Sequence, residues 1–294
     1  MNSRSFKERK VLITFLSLPI ILLLLFGIIP MVKLIYYSFT DWNGMGSGEN
    51  IVYLDNYIKI LTNPKYLEVF KNCIYYLISG LLQIIIGFML AYSLSEKLRG
   101  KSFFKGIFIL PILISGVTIS MMFRVVFSPD GTLNGILTML GLEEYIRYWL
   151  GDPKIVNWSL ASISLWRYTG LSFILYLGAI AAIPKEYFKV VSIEGGRALE
   201  KIKYVILPNI KTTIKINLLM LLIGVVSVFD IPMIMTEGSN GTSTVILKTM
   251  DIAFKDKDFG LASAMAVIVS LIIILISLVR YLIKKRVKNE ESLY

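Results

Sequence analysis

Arg167 stands deep inside an otherwise apolar stretch of this 294-residue chain, and Arg124 and Asp230 stand nearer the ends of two others. Charge at bilayer depth is expensive, so such residues face a cavity or a partner. Two roles follow for Arg167, flanked by Trp166 and Tyr168. It can line a translocation cavity and meet hydroxyl or anionic groups of a solute, or it can pair with Asp230 and hold helices together. Most other site chemistry is excluded. The chain has no histidine and a single cysteine, Cys73, so a zinc site, a Ser-His-Asp triad, a Cys-His pair and an internal disulfide are all ruled out. The acidic pairs Glu143-Glu144 and Asp256/Asp258 read as solvated surface and not as acid-base machinery.

The elements that must carry these residues are membrane spans. With 55% hydrophobic and 17% charged residues, the chain is far more apolar than a soluble domain. Six runs reach the roughly 20 mainly apolar residues that a spanning helix needs. They are Val11 to Phe39, Val69 to Leu94, Phe103 to Phe127, Trp158 to Ile183, Ile214 to Met235 and Leu261 to Ile283. This predicts an all-α membrane protein with six transmembrane helices and both termini on one side. The first run is too long for the apolar core of a secretory signal and no A-x-A site follows, so an uncleaved span is expected. Arg167 lies roughly 13 Å into the fourth run at about 1.5 Å per residue.

Lys and Arg choose the side. Twenty fall on the face holding both termini, including Lys97, Arg99, Lys189 and Arg197, and eight on the other, including Lys59, Lys71 and Lys257, so the termini are expected in the cytoplasm. The net charge of +11 is membrane-flanking charge, and no nucleic-acid partner is expected. Turn residues such as Asn43-Gly44 and Asn240-Gly241 mark external loops, and Tyr36, Trp42, Trp149 and Trp158 suit an outer aromatic belt. Gln83, Asn217 and Ser227 can bond across helices, while Gly80, Gly87, Gly116 and Gly170 allow close approach.

One charged segment interrupts the apolar pattern, from Glu186 to Pro208. Pro184 suits a helix start. Lys185 to Ile193 can form a short helix, Gly195-Gly196 a turn, and Arg197 to Leu207 a second helix terminated by Pro208. Val190, Val191, Ile193, Ala198, Leu199, Ile202 and Val205 give this hairpin an apolar face that must pack against something.

The segment resembles the EAA loop in the membrane subunits of binding-protein-dependent ABC importers, in the branch carrying sugars and polyols. The family pattern, roughly IP-x-E-x-x-EAA-x-x-DGA followed by LP, is read here as Ile183-Pro184-Lys185-Glu186, Lys189-Val190-Val191, Glu194-Gly195-Gly196 and Leu207-Pro208. Lys189 reverses the family glutamate's charge and cannot take its pairing role. Further stretches resemble the family in order. Among them are Tyr37-Ser38-Phe39-Thr40-Asp41-Trp42, Leu54-Asp55-Asn56-Tyr57, Leu98-Arg99-Gly100-Lys101, Trp149-Leu150-Gly151-Asp152-Pro153, Phe229-Asp230 and Gly260-Leu261-Ala262-Ser263-Ala264.

The resemblance implies a type I ABC importer transmembrane domain. Its expected organisation is a cytoplasmic N-terminus (1–10), a first span (11–39), an external loop (40–68), a transmembrane domain (69–283) with a coupling loop (184–210), and a cytoplasmic tail (284–294). It implies that Glu186, Glu194, Gly195, Gly196, Ala198, Leu207 and Pro208 couple the chain to ATPase subunits. The implied partners are a sister permease, two ATPase subunits, an extracytoplasmic solute-binding protein and membrane lipid. ATP and Mg would sit on the ATPase subunits, with no cofactor or metal on this chain and no enzymatic activity of its own. Gly100-Lys101-Ser102 only imitates the end of a Walker A loop, since Ser95 stands where a glycine is needed. Resembling permeases often carry a basic residue at Arg167 whatever their solute, which favours its pairing role. An ion-coupled secondary transporter is the competing reading, for which broken spans and several buried carboxylates are expected.

Overall fold

The computed structural model describes residues 6–46, 49–95 and 101–291, with side-chain surroundings for 11–46, 49–95 and 102–278. Lys97, Arg99 and Gly100 of the motifs above lie outside the described residues, as do residues 1–5 and 292–294 of the two termini. Among the described residues the chain is helical, with one isolated antiparallel bridge between Thr40 and Ile51. Five helices are long and apolar enough to cross a membrane: Val11–Tyr37, Pro64–Ser95, Val156–Ala181, Ala198–Met235 and Phe259–Leu278. Helices suit this setting because each satisfies its own backbone where no water is present.

The third apolar run departs from a single straight span. It is a pair of helices, Lys101–Leu113 and Gly116–Val126, bent by 97° across a two-residue break. Pro111 removes a backbone donor near the end of the first. Ser115, in an extended conformation, starts the second by accepting from the Thr118 N–H at 3.1 Å.

The chain divides into two compact units. One comprises Met1–Pro64 and Thr249–Ile272. Its first helix is apolar all round, with its described side chains between Val11 and Met31 exposed, so its surface suits lipid or another chain. A loop closes below it around the buried Asn56, whose amide donates to the carbonyls of Ser38 (3.1 Å) and Thr40 (2.8 Å). Trp42 stacks on Tyr37 at 4.0 Å and leans on Phe259, whose neighbour Gly260 donates its N–H to the Trp42 carbonyl. Asn50 bonds the exposed Asp41 through side chain and backbone, which holds that carboxyl below its ordinary value.

The other unit comprises Lys65–Lys248 and Ile273–Tyr294. Val156–Ala181 packs against Leu207–Val226 and Lys101–Leu113, Pro64–Ser95 meets it where Gly87 and Gln83 approach Ser172, and Gly116–Val126 packs against the short Asp230–Met235 helix. Lipid is as apolar as these side chains, so close van der Waals contact and polar bonds must hold the helices together. Accordingly, a Cβ on Gly87 would lie 2.7 Å from the Cβ of Ser172, and one on Gly170 would lie 2.1 Å from the Phe108 carbonyl oxygen. Two apolar cores result. One, around Tyr176, Phe173 and Ile206, sits beneath the 184–208 segment. The other surrounds Ile119, Leu160 and Ile163.

Candidate functional site: a polar cavity and an exposed helical hairpin

Within the second unit, a cavity of about 270 Å³ opens between Pro64–Ser95, Val156–Ala181 and Leu207–Val226. Arg167 projects from the middle helix, and its Nη1 donates to Asp230 Oδ2 at 3.2 Å. Asp230 begins the short Asp230–Met235 helix, after the chain leaves the helical path at Ser227. The Arg167 side chain is 12% exposed and that of Asp230 44%. The Tyr168 ring supports the guanidinium, its centroid 5.2 Å from Arg167 Cζ.

Gly116, at the bend of the third apolar run, leaves room for the pair. A Cβ there would fall 1.8 Å from Asp230 Oδ2 and 2.6 Å from Arg167 Nη1. The helix break and the ion pair are therefore one arrangement. Any larger residue at position 116 would displace the carboxylate.

A second polar row crosses the same helices. Gln83 Nε2 donates to Ser172 Oγ (3.0 Å), Ser172 donates to Asn217 Oδ1 (3.0 Å), and Asn217 Nδ2 donates to the Thr213 carbonyl (3.3 Å). Donor follows acceptor along the row, so the bonds polarise one another. Gln83 and Asn217 both line the cavity. Two buried donors in its wall, the Tyr76 hydroxyl and Arg167 Nε, have no partner among the described residues.

Of the residues expected at a cavity, Arg167, Tyr168 and Asp230 line this one, joined by Gly80, Gln83, Asn217 and Ser227, which were expected to pack helices together. Trp166 is not among its lining residues and sets its ring edge-on to Phe123 at 5.3 Å. Arg124 lies apart from the pair and donates to the Ile234 carbonyl at 3.2 Å. Tyr76 and Ser172 were not read from the sequence. The available signal for Tyr76 was spacing, since Tyr76, Gly80, Gln83 and Gly87 recur every three or four residues and share one helix face.

The 184–208 segment is a hairpin. Lys185–Ile193 forms a helix after Pro184. It ends in a Schellman turn, with Gly196 N–H bonding the Val191 carbonyl (2.8 Å) and Gly195 N–H the Ser192 carbonyl (3.3 Å). Gly195 has φ +77°, a conformation that a side chain resists. Arg197 N–H then bonds the Glu200 carboxylate at 2.9 Å, which starts the second arm.

Pro208 does not terminate that arm, contrary to the expectation from its type. Ala198–Glu200 runs through a π-helical stretch, Lys201–Ile206, into Leu207–Val226. Leu207 N–H bonds the Ile202 carbonyl, and Pro208 falls in the first turn of the helix that follows, where its missing N–H is tolerated. The hairpin is thus the continuous base of a spanning helix.

Its apolar residues divide between two faces. Val205 is buried, and Phe188, Val191 and Ile202 pack against the core beneath. Ile193 is 85% and Leu199 76% exposed, on either side of the glycine turn, and Val190 is exposed as well. Glu186, Lys189, Glu194, Gly195, Ala198, Leu207 and Pro208 are also exposed, whereas Gly196 is half-buried against Val191.

Long apolar helices around a polar-lined cavity, with one charged hairpin continuous with a span, define a multi-pass membrane transport component. Residues 83–289 match the family model of the binding-protein-dependent transport system inner membrane component, and the chain belongs to that family. It is accordingly an ABC transporter permease, an inner-membrane component of the plasma membrane. It is 29% identical over 289 residues to the probable ABC transporter permease protein YurN of Bacillus subtilis, covering 96% of this chain and 99% of that one. It is 28% identical to the multiple sugar-binding transport system permease protein MsmF of Streptococcus mutans, covering 93% and 94%. A solved bacterial ABC transporter involved in import of the acidic polysaccharide alginate has a chain of the same fold. The TM-score is 0.84 at 21% identity, over 95% of this chain and 96% of that one.

Proposed function

We propose that the chain is a permease subunit of an ATP-driven importer of a sugar or related polyol. A solute-binding protein delivers the solute on the outer side, and a sister permease completes the pathway. Two ATPase subunits close on ATP and Mg in the cytoplasm. Their closure moves the 186–208 hairpin and, through its continuity with a span, opens the cavity to alternate sides. On this reading both termini lie in the cytoplasm, in keeping with the Lys and Arg bias, and this chain binds no nucleotide.

The exposed face of the hairpin carries the proposal. Ile193 and Leu199 project beside a turn fixed by two backbone bonds, while Val191 and Val205 anchor it to the core. Exposed apolar side chains on a rigid, otherwise charged element suit a protein partner's cleft. The sugar class is supported by relatives described as multiple sugar-binding and diacetylchitobiose permeases. An external binding protein is supported by a like-folded alginate transporter solved with an alginate pentasaccharide-bound periplasmic protein. The cavity's amides, hydroxyls and unpartnered donors suit a hydroxyl-rich solute.

The test is co-expression of the chain with its chromosomal neighbours, reconstitution in nanodiscs, and comparison with Gly195→Trp. Among the described residues no atom outside the turn lies within 4 Å of a Cβ built at Gly195, while its φ of +77° resists a side chain, so the substitution both strains the turn and fills the proposed docking face. ATPase should co-purify with the native chain, and the substitution should dissociate or uncouple it. Absence of ATPase from the native preparation would overturn the importer reading in favour of ion-coupled uptake.

A further inference from the structure

We infer that the cavity of this chain accepts an uncharged saccharide or polyol and turns away acidic sugars and sugar phosphates. This rests on the sugar-permease reading and adds the charge class of the solute. Arg167 and Asp230 are the charged side chains among the described residues lining the cavity, and they neutralise each other. Their exposure is unequal. The guanidinium, 12% exposed, is held between the carboxylate and the Tyr168 ring, while the carboxylate is 44% exposed. Of the two charges that line the cavity, the anion is the more open to a solute.

A carboxylate accepts strong hydrogen bonds from hydroxyl donors, and Gln83 and Asn217 add neutral amides along the same wall. A second anion is repelled, and solvent at the partly exposed carboxylate moderates that repulsion without removing it. Arg167 Nη1 is already bonded to Asp230, so an acidic solute that takes that nitrogen strands the carboxylate without its partner. The carboxylate already rests against Gly116, so it cannot swing toward that helix. The like-folded alginate transporter carries an acidic polysaccharide, but the likeness reaches only the fold, and the charge of this cavity points to a different solute class.

The test uses the assembled transporter in nanodiscs without its binding protein, so that delivery does not choose the solute. Binding is followed by fluorescence for neutral probes (maltotriose, raffinose, xylotriose) and acidic ones (trigalacturonate, glucose 6-phosphate). A neutral probe should bind about tenfold or more tightly than every acidic one, the size expected from a partly screened like charge at contact. Asp230→Asn should narrow that gap by raising trigalacturonate affinity. The comparison on native protein stands even if that variant fails to assemble. Equal or tighter binding of an acidic probe to the native complex overturns the inference and leaves the sugar-permease reading intact. If no probe of either class binds, the saccharide reading fails and the inference falls with it.

Discussion

The hairpin and the cavity present functional groups in opposite ways. In the hairpin, one continuous stretch supplies everything. The Schellman turn is local, Ile193 and Leu199 are exposed beside it, and Phe188, Val191, Ile202, Val205 and Ile206 pack beneath. In the cavity, the lining runs from Tyr76 to Ile231 across several helices, and Gln83, Arg167, Asn217 and Asp230 are each bonded to a side chain from another element. Surface and scaffold are separable in the hairpin and the same atoms in the cavity. A substitution that alters function should therefore leave stability alone in the first region and cost stability in the second.

The harshest challenge to that contrast is Gly170→Val. The new Cβ would lie 2.1 Å from the Phe108 carbonyl oxygen, a backbone atom that cannot rotate away. The Val156–Ala181 helix carries Arg167, so moving it apart dismantles the cavity. A loss of about 3 kcal/mol is expected, measured as thermal stability and folded yield in detergent. Native yield and native melting would mean that these helices slide freely and that the cavity is not fixed by close packing.

Arg167→Gln comes next. It leaves Asp230 facing a neutral amide, and because that carboxylate is partly exposed the expected cost is about 1–2 kcal/mol. A double-mutant cycle with Asp230→Asn isolates the pair from the rest of the packing. Transport should fall along with stability. If transport survives while assembly yield drops, the pair only holds helices together and has no part in the solute path.

The same contrast explains what the sequence made legible. The Lys185–Ile193 helix, the Gly195-Gly196 turn and the apolar face were readable because each depends on neighbours within a few residues. The role of Pro208 was not, because a π-helical stretch before it let the helix continue. The third apolar run showed its length but not its 97° bend. That bend depends on Ser115 as a cap and on Gly116 meeting a carboxylate 114 positions later in the chain. Arg167 and Asp230 were visible as charges out of place, and their pairing was one of two open outcomes. Tyr76 and Ser172 were missed because a tyrosine and a serine among apolar residues gain meaning only from what another helix brings to them.

The finest test lies within the hairpin, where two pairs of apolar residues of similar chemistry face opposite ways. Ile193 and Leu199 project away from the core, and Val191 and Val205 pack toward it. Ile193→Ser and Leu199→Ser remove side chains that touch little, so each should change stability by less than about 0.5 kcal/mol. Val205→Ala, a smaller chemical change, should cost about 1–2 kcal/mol because it opens space under the arm. Co-purification of ATPase activity should show the reverse order, falling sharply for the two serine variants and remaining with Val205→Ala under conditions where it is folded. Melting temperature and ATPase retention, measured on the same preparations, separate the two effects. If Ile193→Ser and Leu199→Ser keep full ATPase association, the exposed face is not the docking surface, and the hairpin is a scaffold like the cavity wall.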